Sequence, residues 1–255
     1  MISVGILGAS GKMGKELVSL LLSNTYPSLT LKRAFVAVQS SLKNKKITDA
    51  ITYEALSLET LKNIDVLIDF SECSATLHCL PLLRELRKSA VIGTTGFSDT
   101  QKSEIKKLSE LIPVVFSPNT SLGINALFQL VQKAAQLLPQ DFSPHILEIH
   151  HADKKDAPSG TALKLKEEIL RASGAQDDKP KTLDDIKNVS LESIRGGDVI
   201  GEHTVFFLSS GERLELTHRA TSRDIFARGA LKAAEWVVHQ KPGLYSIQDV
   251  LKGTL

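Results

Sequence analysis

Ile2-Ser3-Val4-Gly5-Ile6-Leu7-Gly8-Ala9-Ser10-Gly11-Lys12-Met13-Gly14 is the stretch from which the rest of the chain is read. It joins a short apolar run, a glycine-rich turn and the start of an amphipathic segment. A strand, then Gly8-x-x-Gly11-x-x-Gly14, then a helix is the context in which a glycine fingerprint acquires meaning. Glycine permits the sharp turn and lets a pyrophosphate approach the backbone without meeting a Cβ. Amides at the helix N-terminus point at the anion, and the helix dipole assists them. Lys12 adds a positive charge at the same place. Gly8, Ala9, Ser10, Gly11, Lys12 and Met13 are therefore expected to hold a nicotinamide dinucleotide. The competing reading is a β-to-α turn with no ligand. The spacing is not the tighter Gly-x-Gly-x-x-Gly, so the motif alone selects no family.

Outward from this turn the first half alternates. Apolar runs at 2–7, 31–38, 66–70, 90–93 and 114–116 read as strands, with helical stretches at 12–22, 75–88 and 99–108. Continuous apolar strands separated by helices imply a Rossmann-type doubly wound parallel sheet, an α/β fold covered on both faces. After Pro118 the pattern changes. A helix is expected over 122–138, a strand over 145–150, and a helix over 161–172 with Ser159 as N-cap. Residues 173–188 are polar and read as a surface excursion. Strands follow at 191–195, 203–209 and 213–218, the last two joined by a hairpin turn at Ser209-Ser210-Gly211-Glu212. A closing helix over 225–238 is expected to return to the first half. The expected domains are 1–120 with 228–255 for the dinucleotide and 121–227 for the substrate.

Composition removes several function classes. The 255 residues are 42% hydrophobic and 24% charged, with a formal net charge of +2. That is an ordinary globular balance, with no global field for nucleic acid. No secretory signal and no apolar run near bilayer length is present, so a cytoplasmic protein with no membrane partner is expected. Cys73 and Cys79 lack the spacing of a metal or redox pair.

Two further turns lie where later strands should end: Gly93-Thr94-Thr95 and Ser117-Pro118-Asn119-Thr120. Ligands of open α/β sheets bind beyond the carboxyl ends of strands, so both are expected on the cofactor side. The acidic residue that commonly meets a ribose 2′-hydroxyl is absent after the second strand. Val38-Gln39 stands there instead, with Lys43, Lys45 and Lys46 following. NADPH is expected to serve at least as well as NADH, against the alternative that these lysines are a solvated loop.

The densest chemistry is Glu148-Ile149-His150-His151-Ala152-Asp153-Lys154-Lys155-Asp156-Ala157-Pro158-Ser159-Gly160-Thr161-Ala162. Histidine moves a proton near neutral pH, and lysine donates one or holds a carboxylate. The Gly160 and Thr161 amides can receive an anion as the first turn does. Such a set suits a small anionic substrate protonated as it is reduced. No His-Glu-x-x-His or Cys-x-x-Cys occurs, so no metal is expected. Other reductase chemistries fit less well. No tyrosine is followed four residues on by lysine, as a short-chain dehydrogenase requires. A phosphorylating semialdehyde dehydrogenase needs a thiolate, and Cys73 has no evident histidine partner. A non-catalytic redox sensor needs no histidine–lysine loop.

The segments GASGKMG, IDFS, GTTGF, SPNTSLGIN, EIHHADKKDAPSGTA, SIRGGDVIGEHTV and THRATSRDIFARGALKAAEW resemble, in order, the 4-hydroxy-tetrahydrodipicolinate reductase family. The resemblance runs over nearly the whole chain. It implies reduction by NADPH or NADH to tetrahydrodipicolinate, on the route to diaminopimelate and lysine. It also implies a Rossmann domain, an inserted α+β substrate domain on an open mixed sheet, a hinge, and a homotetramer. By the same resemblance His150 is the proton donor and acceptor, and Lys154 a second proton donor. His151, Gly160 and Thr161 contact the substrate carboxylates. Gly8 to Met13, Gly93 to Thr95 and Ser117 to Thr120 match the cofactor segments. Arg195 and His203 lie in a matching segment and shape or line the site. Two departures are the Val38-Gln39 slot, where some members carry Glu-Arg, and Glu72-Cys73, where a basic–proline pair is commoner.

Overall fold

The computed structural model describes residues 1–172 and 189–253; the stretch expected as a surface excursion, 173–188, lies outside them. Strand β1 (Ile2–Leu7) sends Val4 and Ile6 into one core and Leu7 into another. β4 (Val66–Asp69) divides likewise, with Val66 and Ile68 on one side and Leu67 on the other. So do β5 (Ser89–Ile92) and β6 (Pro113–Phe116), through Val91 and Val115 against Ile92 and Val114. A strand buried on both faces has no polar side to show, which is why these runs do not alternate. With β2 (Leu29–Val36), β3 (Tyr53–Ala55) and β11 (Gly243–Tyr245) they form a parallel sheet in the order β11-β6-β5-β4-β1-β2-β3.

Helices α1 (Lys12–Leu22) and α7 (Asp224–Val237) fill the first core, and α3 (Cys73–Leu86) with α4 (Asp99–Ser109) the second. The closing helix is rich in small residues because it lies close to its neighbours. A Cβ on Gly229 would stand 1.7 Å from the Thr120 carbonyl oxygen. Four short elements escape the apolar-run reading: β3, β11, α2 (Leu58–Leu61) and α8 (Ile247–Gly253). Each has at most seven residues, too few to display a period. The second strand ends at Val36 rather than at 38, leaving Val38 exposed.

Cα proximity divides the chain into two compact units, Met1–Leu122 with Asp224–Leu255, and Gly123–Arg223. The second carries a four-stranded mixed sheet, β10-β9-β7-β8, made of β7 (Ser143–His150), β8 (Ser190–Arg195), β9 (Gly201–Ser209) and β10 (Glu212–Ala220). β7 and β8 are parallel; β9 runs antiparallel to β7 and to β10. The expected hairpin is present, with Gly211 at φ +87° in its turn. Helices α5 (Leu122–Leu137) and α6 (Gly160–Ala172) supply the apolar side chains that pack on Ile146, Val205 and Phe207. The opposite sheet face carries Leu147, Ile149 and Phe206, half-buried, and Ile194, 48% exposed.

Candidate active site

In the first unit the predicted cofactor residues collect at the carboxyl edge of the parallel sheet. Gly8 follows β1 at φ +82°, and the Gly8 and Ala9 amides donate to the Phe35 carbonyl (3.2 and 3.0 Å). A Cβ on Gly8 would lie 2.6 Å from the Phe70 carbonyl oxygen, and one on Gly14 would lie 2.2 Å from the Gly8 oxygen. The turn is thus packed tightly enough that side chains are excluded where a pyrophosphate needs the backbone. Gly11 is the N-cap of α1 and makes no side-chain cap bond, which suits amides meant for an anion. The sheet order reverses between β1 and β4, the switch point where nucleotides bind. These residues fit a nicotinamide dinucleotide.

Around that edge, Asp69 is buried and accepts from Ser71 Oγ (2.5 Å), Thr76 Oγ1 (2.5 Å) and Thr94 Oγ1 (3.1 Å). Burial raises its carboxyl above the ordinary range, and the hydroxyls oppose that rise. The carboxylate ties the ends of β4 and β5 together and so sets Gly93–Thr95. The loop after β6 is held by Ser117 Oγ donating to the Asn119 carbonyl and Thr120 Oγ1 to that of Phe226 (both 2.7 Å). Cys73 Sγ donates to the Thr95 carbonyl (3.3 Å) rather than to a histidine.

The second unit builds its site on charge. β7 directs Ile146, Glu148 and His150 to the helix-covered side of the sheet, where register sets Ser193 of β8 and His203 of β9 beside Glu148. Glu148 is fully buried. Its Oε1 accepts from the Ser159 amide (3.0 Å), Ser193 Oγ (2.7 Å) and Arg195 Nη2 (2.7 Å). Burial alone would push this carboxyl up; the donors outweigh it and bring it down to about 2. His150 Nδ1 lies 3.5 Å from Oε2 and His203 Nε2 lies 3.7 Å from it. The two rings meet edge to face at 5.1 Å. Burial depresses both histidines, His203 to about 4, so both rest neutral near pH 7. Ligand atoms of Glu148, His150 and His203 lie within 4.8 Å of one another.

The remaining predicted residues stand on the loop and helix beyond β7. His151 is the first residue after the strand, half-buried, and Lys154 Nζ pairs with both Asp156 oxygens at 2.8 Å. Lys154 and His151 thus stand on the loop, and Arg195 ties that loop to the Glu148 cluster by donating to the Asp156 carbonyl (2.6 Å). Ser159 Oγ caps α6 by accepting from the Ala162 amide (3.2 Å), which puts Gly160 and Thr161 at the helix start. The residues whose part sequence reasoning missed are Glu148 and Ser193. A carboxylate two positions before His150 on one strand was the available signal, since period two puts both on one face.

A parallel nucleotide sheet with its candidate ligand loops at the switch point, and a separate α+β unit presenting histidine, lysine and a helix start, defines an NAD(P)-dependent oxidoreductase of Rossmann type. Two family descriptions match in succession: "Dihydrodipicolinate reductase, N-terminus" over residues 2–120 and "Dihydrodipicolinate reductase, C-terminus" over 123–251. The chain belongs to the dihydrodipicolinate reductase family. It is 42% identical to the 4-hydroxy-tetrahydrodipicolinate reductase of Hahella chejuensis, covering 98% of this chain and 99% of that one. The corresponding protein of Syntrophotalea carbinolica is 39% identical with the same coverage. Among solved structures, dipicolinate-bound dihydrodipicolinate reductase from Paenisporosarcina sp. TG-14 superposes with a TM-score of 0.81 at 26% identity, covering 98% of this chain and 99% of that chain. Membership settles the choice between reductase, semialdehyde dehydrogenase and sensor: the chain is an NAD(P)H-dependent reductase. Among the described residues no helix is long and apolar enough to cross a membrane.

Proposed function

We propose that the chain reduces the dehydrated, dipicolinate-type form of 4-hydroxy-tetrahydrodipicolinate to tetrahydrodipicolinate, with His150 and Lys154 managing protons. The observation that carries this is His150 itself, buried against a permanent carboxylate and followed by a loop and helix start built for anions. Gly8 to Met13, Gly93 to Thr95 and Ser117 to Thr120 would hold the reduced nicotinamide dinucleotide, which when bound would supply the hydride. Hydride arrival on a conjugated ring leaves an enamine-like anion. His150, once it has taken a second proton, delivers it from Nε2, since Nδ1 faces Glu148. His151 and the Gly160 and Thr161 amides hold the substrate carboxylates, and Lys154 exchanges Asp156 for substrate and shares with His150 the delivery of the one proton that the hydride requires. His150→Gln and Lys154→Ala are each expected to lower kcat by about a hundredfold or more. KM for NADPH should stay within about twofold, because neither residue belongs to the cofactor unit. NADPH oxidation with freshly made substrate measures both, and near-wild-type turnover in the two variants refutes the roles.

The same reading makes the chain a homotetramer in the cytoplasm. Support comes from the sheet face that α5 and α6 leave uncovered, where Leu147, Ile149, Ile194 and Phe206 form an apolar stripe of the kind an isologous interface uses. Sedimentation of wild type against Ile194→Lys tests assembly, and cell fractionation tests location.

A further inference from the structure

We propose that Glu148 is a positioning residue of the reduction: its second carboxylate oxygen holds the His150 ring through Nδ1 and turns Nε2 toward the substrate. This rests on the assignment of His150 as proton donor. The two oxygens of Glu148 are unlike. Oε1 receives three donors, from Ser159, Ser193 and Arg195, which immobilise the carboxylate. Oε2 is buried with no hydrogen-bond partner, and so is His150 Nδ1. A buried charged acceptor left unpaired is costly, and a carboxylate serving structure alone would be expected to satisfy both oxygens. Here the two orphans face each other at 3.5 Å, an ion-pair distance more than half an ångström beyond a charge-assisted hydrogen bond of about 2.8 Å. In the neutral ring the single proton sits on Nδ1 facing Oε2 and leaves Nε2 bare; when Nε2 takes the second proton, the carboxylate faces an imidazolium and the contact becomes charge-assisted. That is the state a proton donor must reach.

The neighbours of the ring agree with this orientation. Beside Nε2 lies Gly201, where a Cβ would come within 3.1 Å of that nitrogen, so the missing side chain keeps the reacting edge clear. His203 packs edge-on against His150 and prevents a flip, while its own Nε2 engages Ser159 Oγ (3.3 Å). The charges facing His150 come from every element around it. They are Glu148 on β7, Arg195 on β8, His203 on β9 with His218 behind it on β10, and Lys154 and Asp156 from the loop. After burial, the largest influence on His150 is Glu148, which favours the imidazolium; Lys154 and Arg195 oppose it. Removing the Glu148 charge therefore makes the imidazolium harder to form.

The test is a pH–rate comparison of wild type, Glu148→Gln and His150→Gln. Glu148→Gln should lower kcat at neutral pH about tenfold or more with KM for NADPH unchanged. Its loss of activity with rising pH should begin at lower pH, and Glu148→Asp should recover part of both. A Glu148→Gln enzyme with unmoved profile and kcat, while His150→Gln collapses, overturns the positioning role alone. Unimpaired turnover in both variants overturns the His150 assignment and this proposal with it. Should Glu148→Gln fail to fold, ¹⁵N spectra of wild-type histidines decide: neutral His150 protonated on Nδ1 is expected, and the Nε2-protonated tautomer overturns it. Loss of wild-type activity on chelation, restored by Zn²⁺, also overturns it, because Oε2 and the two rings would then be serving a metal.

Discussion

The candidate sites of the two units are built by different means. The first presents backbone: Gly8, Gly11 and Gly14 clear a turn, and hydroxyls on a single buried carboxylate, Asp69, set the next loop. The second presents side chains: Glu148, His150, His203 and Arg195 share one buried cluster whose charges depend on protonation. A backbone cradle fails when atoms are added to it, and its amides do not titrate. A charge cluster tolerates added volume at its open positions, and fails when one partner or one proton is removed.

The sharpest way to break this contrast is Arg195→Met. It leaves Glu148 buried without its charged partner, which should cost about 3–5 kcal/mol of stability at neutral pH. The folded Glu148 carboxyl is depressed to about 2 from an ordinary 4.5. Its contribution is therefore fully present above about pH 4.5 and disappears as pH falls through about 2. In Arg195→Met that depression shrinks, so urea melts of the two proteins should converge on acidification. A gap that stays constant with pH would mean Arg195 acts through packing.

The next effect is steric and should respect the boundary between the units. Gly14→Ala puts a Cβ 2.2 Å from the Gly8 oxygen and 2.6 Å from the Ala9 Cα, both backbone. About 1–3 kcal/mol of destabilisation and a raised KM for NADPH are expected. Gly160→Ala meets nothing within 4 Å, and its stability should stay within about 0.5 kcal/mol of wild type. Equal losses from both, read by thermal melts, would erase the distinction.

The same contrast explains what could be read in advance. The parallel strands were legible because burial on both faces makes Val4 to Leu7 or Val66 to Ile68 apolar without interruption. The edge strands Tyr53–Ala55 and Gly243–Tyr245 were not, since three residues in a ladder need no pattern of their own. In β7 the pattern misleads. Leu147 and Ile149 suggest the core side, yet the fully buried side chain is Glu148, with His150 beside it. Leu147 and Ile149 are left on the face proposed for assembly, while Glu148 and His150 go inward beside Ile146 and form the candidate site. Hydrophobic alternation over 147–150 finds the strand there and assigns the faces of those four residues the wrong way round.

The smallest effect concerns the far end of the cofactor. After β2, Val38 and Gln39 are exposed and offer no carboxylate to a 2′-hydroxyl. Nearby cations are partly committed: Arg33 pairs with Glu54 at 3.3 Å and Lys46 with Asp49 at 3.2 Å. Lys43 and Lys45 remain as surface charges to meet a 2′-phosphate. Such solvent-screened attraction amounts to about 1 kcal/mol or less, so preference should be shallow. We expect kcat/KM with NADPH to equal or exceed that with NADH by no more than about tenfold. Lys43→Ala with Lys45→Ala should reduce the NADPH value a few-fold, in low salt more than in high, and leave NADH unchanged. A strong preference for NADH would show that the backbone-built unit also discriminates by a contact other than these charges.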